Sequence, residues 1–426
     1  MKKLFFILPL LISFTYGQPG GRQGRPETRG FLDKPEPTVQ ILPSAQTKIR
    51  VFYLYRIPYD ILVFERKNGV FRSDVRILAE VLQDKNFITR DFKDVTLTVD
   101  DFDKTESKTD FLQGFITFEL SPGHYNLRGL VTDLNSEREI RIHPVEIHGI
   151  ADFEKGIYKP IVISANNVCN GKTLPKIVNH GGGIPYSSKD YRIVIPLADT
   201  TVKSITVELR NNDNEPVTRT VTEAYNTQIG ISSCDNNLYI DKNNDVQVTR
   251  NFVIRNFSKK LNEGHLLLTI KKENSDEEID FPLAVKWLNK PFSLHNPEFA
   301  IEMLRYIDSD STVSALLDAD EEEYPEELHN YWKKFDPSPE TSYNELMTEF
   351  YERVDYAALE FRGITRKNGL RTDRGKIYIK YGKPDKVDRY SNSNGYMVET
   401  WIYSKPEKKF IFVDKRGTGN FVLVEG

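Results

Sequence analysis

Between residues 49 and 150 apolar side chains alternate with polar ones, as in Val75, Ile77, Ala79 and Val81 and again in Val95, Leu97 and Val99. A strand places alternate side chains on one face, whereas a helix of period 3.6 would scatter the same set around its axis. This long segment is therefore expected to fold as half-buried antiparallel strands, with Asn68-Gly69 as a tight hairpin turn. The spacing Leu120, Gly123, His124 returns further along the chain as Leu261, Gly264, His265. Each copy runs on into a strand, an acidic turn and a closing strand, Ile140 to Val145 in the first and Ile279 to Leu283 in the second. An internal repeat of this kind predicts two units in tandem.

The stretch Leu120 to Leu127 is similar to the corner that enters a late strand of an immunoglobulin-like sandwich, where a tyrosine, here Tyr125, buries its ring and turns its hydroxyl onto nearby backbone. Leu266 stands at the matching place in the second copy, so the hydroxyl is missing there. Two immunoglobulin-like antiparallel β-sandwiches are expected, at 49–150 and 151–290. From His295 onward the period turns helical, with Ala300, Met303, Leu304 and Ile307 on one face and Val313, Leu316 and Leu317 on another, which predicts a helical linker at 291–325. Pro325 near a first turn and Leu328, Tyr331, Trp332 and Phe335 along one side predict a further helix. Ser342 to Glu345 reads as a capping box opening a long helix through Leu346, Phe350, Val354, Ala357 and Phe361. Strands are expected again at 376–380, 398–403, 409–413 and 421–424, so residues 326–426 should form a small α+β module.

Met1-Lys2-Lys3, the apolar run Leu4 to Phe14 and Thr15-Tyr16-Gly17 have the order of a secretory signal peptide, residues 1–17, with cleavage after Gly17. The run is short for a bilayer span and no later stretch has the length for one, so no transmembrane segment is expected. Residues 18–48 are rich in Gly, Pro, Arg and Gln and are expected to be a disordered leader, because they bury too little apolar surface to offset ordering. Export to the periplasm or the extracellular side of a Gram-negative envelope follows. Without a cysteine at the cleavage site a lipid anchor there is disfavoured. The only cysteines, Cys169 and Cys234, suit one disulfide in an oxidising compartment, the alternative being two buried thiols that never meet. There are 58 Lys and Arg against 62 Asp and Glu, with the basic residues dispersed, which argues against a nucleic-acid partner.

The last hundred residues carry Tyr331-Trp332-Lys333-Lys334-Phe335-Asp336-Pro337, Gly369-Leu370-Arg371-Thr372-Asp373-Arg374-Gly375, Tyr381-Gly382-Lys383-Pro384-Asp385 and Glu399-Thr400-Trp401. This string resembles the C-terminal GWxTD domain of bacterial envelope proteins, a family without established biochemistry. Leu370 stands where the name-giving Trp belongs. Thr372, Asp373, Gly375, Gly382 and Pro384 are expected to be structural turn residues, with side-chain oxygens on amides two residues on, at the entry to a strand at 376–380. Arg353 and Arg374 are expected to pair with Asp373, Glu345 or Asp336. A second reading makes Trp332, Arg353, Asp373, Arg374 and Trp401 a binding pocket for an anionic or sugar-like ligand.

Other motifs lead away from catalysis. His180-Gly181-Gly182-Gly183 matches the oxyanion loop of lipases, but the chain has no G-x-S-x-G elbow, so a loop between strands is expected. Asp241 to Asp245 begins like an EF-hand, yet Val246 and Phe252 replace the required Gly and Glu, which predicts a polar hairpin tip. The seven histidines form no zinc motif, and the acidic run Asp318 to Glu323 reads as a solvated surface or a patch for a basic partner. No catalytic residue, metal or cofactor is expected. The chain reads as an exported, non-enzymatic binding or scaffold protein whose partner is an envelope protein or glycan; the alternative is a glycan-binding or glycan-processing protein with a pocket in the C-terminal module. Mass spectrometry of the envelope fraction is expected to find a mature N-terminus at Gln18, and a full-length cytosolic chain would refute the export reading.

Overall fold

The computed structural model describes residues 37–45, 48–107, 109–148, 156–362 and 368–426, and the expected signal segment and the leader up to residue 36 lie outside them. The chain is mostly β, in several antiparallel sheets. The first unit contains β1 (Thr38–Ala45), β2 (Lys48–Pro58), β3 (Glu65–Lys67), β4 (Val70–Gln83), β5 (Asn86–Val99), β6 (Phe111–Leu120), β7 (His124–Asp133) and β8 (Arg138–His148). β1, β2 and β6 make one sheet; β3, β4, β7 and β8, with β5 paired to β4, make the other. Alternation fills the space between them, Val51, Tyr53 and Tyr55 of β2 meeting Val75 and Ile77 of β4 and Leu127 and Val131 of β7. Asn68 and Gly69, both at positive φ, form the turn between β3 and β4. Tyr125 is 9% exposed and its hydroxyl donates to the Ser121 carbonyl at 2.9 Å.

Residues 38–45, expected within the disordered leader, are instead strand β1, paired with β2 from Thr38↔Leu54 to Ala45↔Lys48. The short apolar run Val39, Ile41, Leu42 is masked in the sequence by Pro37 and Pro43, and an edge strand tolerates proline.

The second unit contains β9 (Ile161–Cys169), β10 (Lys172–Ile177), β11 (Ile184–Pro185), β12 (Arg192–Leu197), β13 (Ile205–Asn211), β14 (Val217–Val221), β15 (Ala224–Cys234), β16 (Asn237–Asn243), β17 (Thr249–Ile254), β18 (Gly264–Lys272) and β19 (Glu278–Lys286). It departs from a plain two-sheet sandwich, because β10, β16, β15, β17, β12 and β9 close into a barrel. Closure is possible because β15 is long enough for two partners, pairing β17 through Ala224–Thr227 and β16 through Gln228–Cys234. The barrel packs on an open sheet in the order β11, β19, β18, β13, β14, through Ile193, Ile195 and Phe252 against Val207 and Leu268. Leu266, the counterpart of Tyr125, is 1% exposed in this core. Cys169 and Cys234 form a disulfide, with Cα atoms 5.9 Å apart, that ties the end of β9 to the end of β15.

The two units share β2. Its outward residues Phe52 and Leu54, with Leu42 of β1, pack against Ile163, Val194, Ile229 and Ile240 of the barrel. Polar bonds cross the same joint: Arg50 Nη2 donates to the Ile229 carbonyl at 2.7 Å, and the Gln113 amide donates to Asn236 Oδ1 at 2.6 Å. His180, in the glycine loop after β10, is buried here with its ring on the Gln113 side chain. Burial, then the nearby Arg56 and Lys176 charges, lower its pKa to about 3, so the imidazole is neutral.

The third part contains α1 (Pro297–Met303), α2 (Asp310–Leu317), α3 (Tyr324–Lys333), α4 (Glu345–Glu360), α5 (Asp373–Tyr381), β20 (Lys386–Ser391), β21 (Met397–Tyr403), β22 (Lys408–Asp414) and β23 (Val422–Glu425). The last four form an antiparallel sheet in sequence order. Residues 291–325 are not a separate linker, since Ala300, Ile301, Leu304 and Val313 share one core with Trp332, Tyr351 and Trp401. The expected strand at 376–380 is helix α5: its Lys-Ile-Tyr-Ile-Lys alternation is too short to decide the period, and a capped N-terminus decides it. The cap of α4 is Asn344 rather than Ser342, its side chain accepting from the Met347 amide at 2.9 Å. Tyr186, Trp287 and Tyr343 join this part to the second unit, with ring centroids 5.2, 5.3 and 5.6 Å apart.

Denatured, unreduced protein is expected to show no free thiol on titration, and Cys169→Ala with Cys234→Ala to cost about 4 kcal/mol of stability for a loop of 65 residues. Acid should act through His180. Its folded pKa lies below the unfolded 6.5, so its contribution is full above 6.5 and is lost as pH falls toward 3, by about 1.4 kcal/mol per unit at most. Chemical denaturation across that range should show a shallower decline in His180→Gln than in wild type; parallel declines would exclude the histidine as the cause.

Candidate functional site

The C-terminal motif is built from a turn, a cap and a tether. Gly369–Arg371 makes one 3-10 turn, with Asn368 Oδ1 accepting from the Leu370 amide at 3.1 Å. The turn lies flat on α4, where a Cβ on Gly369 would stand 2.0 Å from the Ala357 carbonyl oxygen. Thr372 is the N-cap of α5, accepting from the Gly375 amide at 3.1 Å and donating to the Gly369 carbonyl at 2.7 Å. Its bond therefore reaches three residues on and opens a helix, where two residues and a strand were expected. Asp373 accepts from the Leu423 amide at 3.0 Å, which ties α5 to β23. Leu370 is 3% exposed and its carbonyl accepts from the Tyr306 hydroxyl at 2.8 Å, so the position of the name-giving Trp is core here.

Beside this lies a charge cluster around a buried carboxylate. Glu399 is 2% exposed, and its Oε1 accepts from Trp401 Nε1 at 2.6 Å. Its Oε2 accepts from Arg389 Nε at 3.0 Å and faces Arg374 Nη1 at 3.4 Å. Arg374 also donates to the Gly419 carbonyl at 3.1 Å, and its guanidinium stands 4.2 Å from the Phe421 ring centre. Burial lowers the Arg374 pKa and the Glu399 charge opposes that shift. The partner of Arg374 is thus Glu399, not Asp373, Glu345 or Asp336. Glu399 was legible in principle, because period-two spacing puts it on the buried face with Trp401.

Of the five expected binding residues, the fold brings Arg374 and Trp401 together through Glu399. Asp373 turns away to Leu423. Arg353 pairs with Glu349 and lies against Gly382, whose φ of 78° ends α5 and whose carbonyl accepts from the Tyr403 hydroxyl at 2.9 Å. Pro384 follows in the turn to β20, where Asp385 accepts from the Ser404 amide at 2.6 Å. Trp332 sits elsewhere in the core, against Phe350 and Tyr351. At 3% and 2% exposure, Trp332 and Trp401 present no ring face for a ligand to stack on. The arrangement can lock helix to sheet; it holds no exposed acid and base about one reacting centre.

No curated protein matches the chain. Residues 243–424 match the GWxTD domain, a span that starts at the last residue of β16 and takes in β17 to β19, α1 to α5 and nearly all of the final sheet. The motifs read from the sequence lie at 326–426, and the matched span begins earlier, in the second β unit. Residues 243–424 thus carry the likeness to the GWxTD domain.

Proposed function

We propose that the protein is an exported, non-enzymatic binding or scaffold component of a bacterial envelope, working in the periplasm or on the extracellular side. The observation that carries this reading is the use made of the motif: Thr372, Asp373 and Glu399 are bonded to backbone amides, an indole and guanidinium groups within the fold. Rigid joints support it as well, since β2 belongs to two cores and the Tyr186, Trp287, Tyr343 ring set fastens the C-terminal part. The disulfide suits an oxidising compartment. In this reading the first unit is an immunoglobulin-like sandwich with a tyrosine corner, and the second is a variant with one layer closed.

Asp373→Ala in the full chain is expected to lose about 1 kcal/mol, the cost of one backbone-capping bond, and Gly369→Ala to lose more because the added Cβ meets backbone. Crosslinking in the envelope fraction supplies a partner, and its binding to each variant should fall only as far as the folded fraction does. An Asp373→Ala protein that melts like wild type yet loses the partner would make the motif a recognition surface. Release of reducing ends from envelope glycan by purified wild type would make the protein an enzyme.

A further inference from the structure

A cleft of about 540 Å³ opens in the barrel of the second unit, beside the seam where β10 meets β16 at the single pair Lys176↔Tyr239. Its base is apolar, with Val194, Ile240 and Val253 buried. Its rim is charged. Arg255 and Glu223 neutralise each other there in a two-pronged pair, Arg255 Nε standing 3.0 and 2.8 Å from the two carboxylate oxygens. Lys172, Arg192 and Lys242 also line the cleft, with Asp241 as its second carboxylate, and the Arg192 charge acts on Glu223 as well as on Lys242. We propose that this cleft is a binding site for a small oxyanion, a phosphate or carboxylate group, held between the Arg192 guanidinium and the Lys242 ammonium.

Among the described residues neither Arg192 nor Lys242 forms a side-chain ion pair, whereas the neighbouring Arg255 does. Lys242 is steered into the cleft by the Tyr225 ring, its Nζ 3.7 Å from the ring centre. Partial burial, then the Arg192 charge, press the Lys242 pKa down, so the two cations repel each other where they stand. An anion between them removes that repulsion and turns it into two charge-assisted bonds, the guanidinium fork matching the paired oxygens of either group. Barrel mouths with an apolar floor and a few convergent polar groups are a common setting for small ligands. The cleft lies in the barrel rather than in the motif, so this site stands or falls apart from the scaffold reading.

Calorimetry on the full chain with inorganic phosphate and with citrate, at an ionic strength held constant with chloride, tests the site. Saturable binding is expected for at least one probe, and the one that binds identifies the group the site prefers. Arg192→Gln with Lys242→Gln should weaken it about tenfold or more, as loss of a charge-assisted pair on each side requires. Lys104→Gln, on the first unit, should leave it unchanged. If the double variant fails to fold, Lys242→Met alone is expected to weaken binding severalfold at an unchanged melting temperature. No heat beyond the chloride control for either probe, or equal binding by the folded variant, would overturn the assignment.

Discussion

Strand β2 is buried on both faces, and the arrangement of the two β units follows from that. Val51, Tyr53 and Tyr55 close the first core, while Phe52 and Leu54 enter a second core with the barrel. Burying Phe52, Leu54 and Leu42 on the outer side contributes roughly 2 kcal/mol each, about 6 together as an upper figure. That is about ten times thermal energy and comparable with the whole stability of a small domain. Units joined by linkers are expected to move relative to one another; units that share a strand are not. His180 and Arg50 add bonds that form only when both units are in place.

The family match begins within this continuous structure. A GWxTD domain that starts at residue 243 includes β17, which is part of the barrel wall, and β18 and β19, which lead into Trp287. Trp287 stacks edge-on with Tyr186 from the second unit and Tyr343 just before α4, so the helices and the β strands before them meet in one aromatic contact. The Ser342 amide donates to the Lys259 carbonyl at 2.8 Å across the same boundary. A module cut at residue 326 would leave those rings and α1 without their partners.

Within the C-terminal part, charge is placed where a mistake in packing costs most. Both oxygens of the buried Glu399 carboxylate are engaged, Oε1 by an indole and Oε2 by the Arg389 and Arg374 guanidinium groups. Removing Glu399 would leave the mostly buried Arg374 guanidinium without its counter-charge, which gives the cluster a role in specifying how α5 meets the sheet. Thr372 and Asp373 do the same with backbone amides.

Local chemistry was legible in the sequence. Period two assigned the inner faces of β4 and β5, Asn68-Gly69 marked its turn, and the Tyr125 hydroxyl was expected on nearby backbone, because each is decided by a residue and its near neighbours. Residues 376–380 were misread because five alternating residues satisfy a strand and a helix alike, and the Thr372 cap breaks the tie only once Gly369 is folded against it. The mostly β character of the chain and its GWxTD motifs were therefore determined by the sequence itself. The closure of the barrel by β15, the second burial of β2, the partnership of Glu399 with Arg374 and the gathering of Arg192 and Lys242 at one rim were decided by tertiary structure alone. They depend on residues far apart along the chain coming within a few ångströms, and no local period carries that information.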